Sequence, residues 1–303
     1  MESSTDCCRL HQEILDFYEY VRPLEHEKRI RHELVQRVQQ VIGKKFLDRR
    51  GSVSCFGSFP AGLNLPTADM DLVWASESFR SGDQASAIPG KSQMVALAKK
   101  FQKQRLCDSF VVIAKAKVPI IKWIDKPTGL PVDISFENLS GEAAQVTLRE
   151  WTSKFPNMHY LVALVKQFLL MRRDMNEVQH GGLGGFSIIC LVVSFYQHNS
   201  TGENLGEIFL RFLDYYGNKF DLRHRRIVMD PPAILLKVSC NAILDACLTY
   251  IRKKLVSMAG KNFRIAYLSR IPTGSITTCP VVPTRSKTYS NAFPKLIGCC
   301  WSE

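Results

Sequence analysis

The chain has 303 residues, 46% of them apolar, and a formal net charge of +12, which supplies enough apolar side chain for a large core and enough length for two domains. No run approaches the roughly 20 uninterrupted apolar residues of a membrane helix, the start MESSTDCCRLHQ holds no apolar signal core, and the ten cysteines show neither metal-ligand nor secreted-framework spacing. These features exclude a helical membrane span and a disulfide scaffold, and the expectation is an intracellular protein with reduced thiols.

In chain order, residues 10–21 and 30–42 place apolar side chains at helical spacing, with Ile30, Leu34, Val38, Val41 and Ile42 on one face. A mixed α/β unit is expected from there to about residue 150, with a polar loop over residues 76–92. From Trp151 the pattern turns helical, and the apolar runs over 161–171 and 186–196 are too short for a membrane and suit a helical core. The glycine run HGGLGGFS between them precedes a helix and can aim its amino terminus at an anion.

The chemistry concentrates in CFGSFPAGLNLPTADMDLVW, residues 55–74. As a strand, ADMDLV sends Asp69, Asp71 and Val73 to one face and Met70, Leu72 and Trp74 to the other. Two carboxylates side by side raise each other's pKa unless a cation neutralises them, and hard oxygen ligands suit magnesium. Upstream, Gly57 lets the backbone approach a phosphate and Ser58 donates to it, so the pair is placed for the β and γ phosphates of a triphosphate. Two-metal phosphoryl transfer calls for a third carboxylate. Asp133 is the candidate: AKAKVPIIKWIDKPTGLPVDISF reads as two strands around a Pro-Thr-Gly turn, with Val132, Ile134 and Phe136 toward a core and Asp133 opposite. Alone, an Asp-x-Asp or a Gly-Ser is commonly a turn; their ordered combination is far more specific.

Four ordered blocks, GSFPAGLNLPTADMDLVW, KVPIIKWIDKPTGLPVDISFEN, LVKQFLLMRRDMNEVQHGGLGGFSIICLVVSF and NLGEIFLRFLDYYGNKFD, resemble the DNA polymerase β-type nucleotidyltransferases, specifically noncanonical poly(A) polymerases of the TRAMP-complex type, fungal-like, over residues 10–232. The resemblance implies an α/β plus α architecture: leading helices over 1–47 packing on the central domain, a nucleotidyltransferase domain over 48–150 and a helical central (PAP-associated) domain over 151–233. It implies transfer of AMP from ATP to RNA 3′ ends, with Asp69, Asp71 and Asp133 holding Mg²⁺ (or Mn²⁺) and Asp133 orienting or deprotonating the 3′-hydroxyl. It also implies nucleotide contacts at Gly141, at Lys166 with the triphosphate, and at Gly185 and Phe186 with the ribose and base. Relatives that add uridine carry a second lysine one turn after the Lys166 position; Leu170 stands there, which leans toward adenylate. By the same resemblance the partners would be a zinc-knuckle RNA-binding protein, an RNA helicase and the nuclear exosome, and the location the nucleus or nucleolus.

The positive charge is uneven. Ten of the 40 Lys and Arg, against two of the 28 Asp and Glu, lie from Ile234 onward, so that segment carries +8 of the net +12. Within the region of resemblance, residues 10–232, the cluster Arg223, His224, Arg225 and Arg226 can track a phosphate backbone or form a solvated face. After Asp230-Pro231-Pro232 the family's base-contacting loop is not legible, yet SRIPTGSITTCPVVP permits a similar motif once codon boundaries shift by two nucleotides. Residues 234–303 are therefore expected to be a wrong-frame translation. The alternatives are a terminal uridylyltransferase and, if the printed tail is genuine, an inactive scaffold paralogue.

Overall fold

The computed structural model describes residues 2–43, 45–47, 49–82, 88–171, 175, 182–199, 202–221, 224–229 and 232–236. These divide into two compact units, one of residues 22–150 and one that joins the amino-terminal helix to the chain from Trp151 on.

The first unit is built on a six-stranded sheet. In chain order its strands are β1 (Lys45–Phe46), β2 (Arg49–Phe56), β3 (Met70–Ser76), β4 (Phe110–Ile113), β5 (Ile120–Ile124) and β6 (Pro131–Phe136), in the spatial order β1-β2-β3-β6-β5-β4. Only β3 and β6 run parallel; the other pairs are antiparallel. Period-two alternation decides the faces. Met70, Leu72 and Trp74 of β3 and Val132, Ile134 and Phe136 of β6 enter one hydrophobic core with Ile121 and Trp123 of β5, which leaves Asp71 and Asp133 on the opposite face.

The helices covering that core are α2 (Glu25–Ile42) and α4 (Lys91–Lys103). Pro23 breaks the chain ahead of α2, and the acidic first turn, with Leu24 N–H donating to the Glu27 carboxylate at 3.0 Å, satisfies its amino terminus. Leu34, Val38 and Ile42, one turn apart, are at most 2% exposed against the sheet, and each such burial is worth about 2 kcal/mol. The helix stops at Gly43, whose φ of 83° lies in the left-handed region while its N–H donates to the Gln39 carbonyl.

Residues 1–47 therefore do not act as a single leading segment on the helical domain. The helix α1 (Glu2–Val21) packs on helices of the second unit, whereas α2 and β1 belong to the sheet unit. The physical reason is that a helical stripe records burial without naming what buries it. Two further boundaries differ from the sequence reading. The segment over 76–92 contains a short helix, α3 (Glu77–Arg80), whose N-cap Ser76 accepts from Phe79 N–H at 3.2 Å. Helical structure begins before Trp151, with α5 (Ser140–Lys154) opening where the Asn138 side chain accepts from Ser140 N–H at 3.0 Å.

The second unit packs α1 on α6 (Met158–Leu170) and α8 (Leu205–Asp214), and α6 on α7 (Gly185–His198). Leu10, Ile14, Phe17 and Val21 bury the inner face of α1. His11 Nδ1 accepts from Leu205 N–H at 3.0 Å, joining α1 to the start of α8. A single π turn over Tyr215–Lys219 follows, and Tyr216 O–H donates to the Leu191 carbonyl at 2.8 Å. Strands β7 (Arg225–Met229) and β8 (Pro232–Leu236) form an antiparallel hairpin. The boundary expected at 233/234 thus falls inside β8, whose backbone pairing with β7 continues to the Arg225–Leu236 partners. The wrong-frame expectation beyond that point, and Arg223 of the basic cluster, lie outside the described residues.

The turn between β5 and β6 hangs on one buried charge. Asp125, fully buried, takes the Arg37 guanidinium at 2.8 Å and the Thr128 hydroxyl at 2.7 Å. Arg37→Met should leave that carboxylate without its cation and cost about 2–3 kcal/mol, below the full penalty of a broken buried pair because Arg37 is partly exposed. Urea denaturation of the two proteins measures it.

Candidate functional site

Asp71 and Asp133 face each other. They are register partners across the parallel β3–β6 pair, on adjacent strands about 4.8 Å apart, with both side chains on the face away from the core. Asp69 precedes β3 by one residue and raises the Asp133 pKa through its charge. On the other side of β3, Phe56 is the register partner of Asp71, so the chain leaving β2 turns at Gly57 over the Asp71 carboxylate. Gly57 has a φ of 81°, and a Cβ there would overlap Asp71 Oδ2. Its carbonyl accepts from Gln145 Nε2 of α5 at 2.8 Å, and the Ser58 carbonyl accepts from Leu63 N–H at 3.0 Å.

Gly141 closes the same wall. It lies in the first turn of α5, not in a loop, and a Cβ on it would run into the Phe56 ring. In this position its glycine character serves helix-to-strand packing beside Gly57.

Lys122 of β5 extends the row. It is the register partner of Asp133 and its Nζ lies 2.9 Å from Asp133 Oδ2. Burial pushes the Asp133 carboxyl above its ordinary range, Lys122 pulls it back, and the Asp69 charge adds to the rise. Among the described residues no group of three or more His, Cys, Asp and Glu is already drawn together around a metal position. The donor set is nonetheless all carboxylate oxygen, and its mutual repulsion, visible in Asp133, is what a divalent cation relieves.

Within the second unit, Lys166 of α6 and Gly185 at the start of α7 are neighbours: a Cβ on Gly185 would sit 3.7 Å from Lys166 Nζ. Phe186 is 52% exposed and stacks on Trp151 with ring centroids 6.4 Å apart and planes 28° from parallel. A half-exposed aromatic held flat on a buried one is a platform for another ring. Leu170, at the end of α6, is 40% exposed.

The structure thus brings Gly57, Asp69, Asp71, Asp133 and Gly141 together in one unit, and Lys166, Gly185 and Phe186 in the other. Sequence reasoning missed Lys122, Gln145, Trp151 and Arg31. Arg31, on α2, is 2% exposed and donates to the Pro66 carbonyl at 3.0 Å and to Met70 Sδ at 3.1 Å. Only Lys122 carried a readable signal, as a lone cation in the alternating run IIKWI across the turn from Asp133.

Comparison with known proteins follows the same lines. The family model described as "Poly(A) RNA polymerase, mitochondrial-like, central palm domain" matches residues 10–152. Poly(A) RNA polymerase protein 2 of Saccharomyces cerevisiae is 37% identical over 216 residues, covering 69% of this chain and 35% of the relative. Poly(A) RNA polymerase protein 1 of the same yeast is 30% identical over 301 residues, covering 96% of this chain and 44% of the relative; that match extends past residue 232, where the resemblance legible in the sequence ends. The chain thus spans about a third to under half the length of these two curated relatives. The polymerase core of TRAMP, an RNA surveillance complex, superposes with a TM-score of 0.69 at 30% identity, covering 84% of this chain and 85% of that one.

Proposed function

The chain belongs to the noncanonical poly(A) RNA polymerases of the TRAMP type, with the DNA polymerase β-like nucleotidyltransferase fold, and from that premise we propose that it is an RNA adenylyltransferase, adding AMP from ATP to RNA 3′ ends. The observation that carries the reading is the carboxylate row: Asp71 opposite Asp133 in register, Asp69 two residues before Asp71, and Gly57 turned onto Asp71.

In this reading the backbone at Gly57, free of a side chain, and the Ser58 hydroxyl receive the β and γ phosphates. Asp133 holds the acceptor 3′-hydroxyl and takes its proton, a role suited to a carboxylate whose burial has raised its basicity. Asp69, Asp71 and Asp133 are the residues that would hold Mg²⁺ or Mn²⁺, which when bound neutralises triphosphate charge and activates the hydroxyl. Lys166 contributes a flexible point charge to the phosphates. Gly185 leaves room for the ribose and Phe186, backed by Trp151, stacks the base. Gly141 keeps α5 close to Phe56 and so fixes the wall beside the nucleotide. Leu170 in place of a second lysine favours adenylate over uridylate. By the same kinship the work is nuclear RNA surveillance, within the nucleus in the nucleolus, with a zinc-knuckle RNA-binding protein and an RNA helicase delivering substrates and the exosome consuming the tailed RNA.

Primer extension tests it. With an oligoadenylate primer, Mg²⁺ and each triphosphate separately, ATP should be incorporated at least ~10-fold more efficiently than UTP. UTP equal to ATP would make the chain a uridylyltransferase. No extension beyond that of an Asp69→Ala, Asp71→Ala variant would make it an inactive relative.

A further inference from the structure

The segment between the phosphate-facing turn and the first carboxylate is fastened from beneath by one buried cation. Arg31 projects from α2 into the loop over residues 57–69 and touches both of its ends. Its guanidinium carbon lies 5.5 Å from the centroid of the Phe59 ring, next to Ser58. At the far end it donates through Nη2 to the Pro66 carbonyl and through Nη1 to Met70 Sδ, the two residues nearest Asp69 on either side that it reaches. The loop's own backbone bonds, Gly62 N–H to the Phe59 carbonyl, Leu63 N–H to the Ser58 carbonyl and Ala68 N–H to the Leu65 carbonyl, close local turns. They set its internal shape and not the distance between its ends.

A guanidinium at 2% exposure is costly unless its donors are used. The donors that cross to the loop meet a carbonyl and a thioether, while the buried Glu27 carboxylate one turn earlier on α2 supplies the main balancing charge. Core packing alone is served better by a methionine of similar volume. The arrangement makes sense as a planar fork that reaches two groups at once while its face covers a third, which a lysine cannot reproduce. Its charge is felt first by Glu27 and, more weakly, by Asp69.

We propose that Arg31 is a positioning residue for nucleotidyl transfer: it fixes the separation between the Gly57-Ser58 turn and Asp69 by fastening both ends of the intervening loop to α2. This rests on the adenylyltransferase reading for its catalytic consequence, but the fastening itself has a separate readout.

Arg31→Met and Arg31→Lys in the full chain test it, by hydrogen exchange over residues 65–70, thermal melting, and kcat and KM for ATP. Both variants should exchange faster over 65–70 than the parent. The kcat per folded molecule should fall ~100-fold in Arg31→Met, as expected for misplacement by about an ångström, and ~10-fold in Arg31→Lys, which keeps the charge but loses the fork. KM for ATP should change little. Should Arg31→Met fail to fold, Arg31→Lys carries the same readouts. Unchanged exchange over 65–70 overturns the proposal, as does a loss of rate that the folded fraction fully explains. If the parent extends no primer with any triphosphate while the variants still exchange faster, the fastening stands and the polymerase reading alone falls.

Discussion

Asp133→Asn should abolish nucleotidyl transfer, with kcat down by about 10³-fold or more, while raising the melting temperature of the metal-free protein at neutral pH. The two effects share a cause. Burial, reinforced by the Asp69 charge and only partly offset by Lys122, holds the Asp133 pKa above its ordinary value. A carboxyl whose folded-state pKa is raised contributes stability below its ordinary value of 3.8 and loses that contribution as pH rises through the raised one. At neutral pH the ionised group therefore weighs against the fold, and a neutral amide removes the cost. Asparagine cannot take the proton of the attacking hydroxyl, a service worth up to ~10⁴-fold, and it is a poorer ligand for a divalent cation.

Three measurements check this. The melting advantage of Asp133→Asn should shrink as pH falls toward the ordinary carboxylate range, because the parent then carries the same neutral group. Added Mg²⁺ should raise the melting temperature of the parent more than that of the variant, since a ligand stabilises in proportion to its affinity for the folded state. In the parent, kcat/KM should decline on acidification before the ordinary carboxylate range is reached. A variant that melts below the parent at every pH would show that the Lys122 ion pair outweighs the burial of the charge.

The carboxylates were legible because a strand's period is rigid. Once Met70, Leu72 and Trp74 are assigned inward, Asp71 can only point outward, and the same holds for Asp133 among Val132, Ile134 and Phe136. Their mutual register was not legible: parallel pairing between β3 and β6 joins residues 62 positions apart, and no local turn fixes it. Lys122 sat within reach of inference, because the β5–β6 hairpin places it on the Asp133 face once the turn over 125–130 is known. The destination of α2 was hidden for a different reason. Its stripe of Leu34, Val38 and Ile42 demands cover, and a sheet and a helix bundle supply cover equally well. Arg31 left no trace, since a cation in a helix of charges reads as solvated until a carbonyl is seen beneath it. The helical place of Gly141 was not legible, since glycine lowers helix propensity; the Asn138 cap and the close approach of Phe56 set it in the first turn of α5.

Gly57→Ala should lower kcat ~100-fold, and Gly62→Ala in the same loop should not. Both glycines have φ in the left-handed region, 81° and 68°, so each alanine carries about 1–2 kcal/mol of backbone strain. Their surroundings differ. A Cβ at Gly62 meets nothing within 4 Å, whereas one at Gly57 overlaps the Asp71 carboxylate. Relief at Gly57 requires either the turn to lift away from β3 or Asp71 to swing off its line with Asp133, and either movement spoils the alignment of phosphate grip and carboxylate by about the ångström that costs two orders of magnitude. Gly62→Ala thus serves as the strain-matched control: the two variants should lose similar stability in urea, and only Gly57→Ala should lose rate per folded molecule. Equal losses of rate would mean that the loop's overall stiffness, and not the close approach of the Gly57 backbone to Asp71, is what glycine secures there.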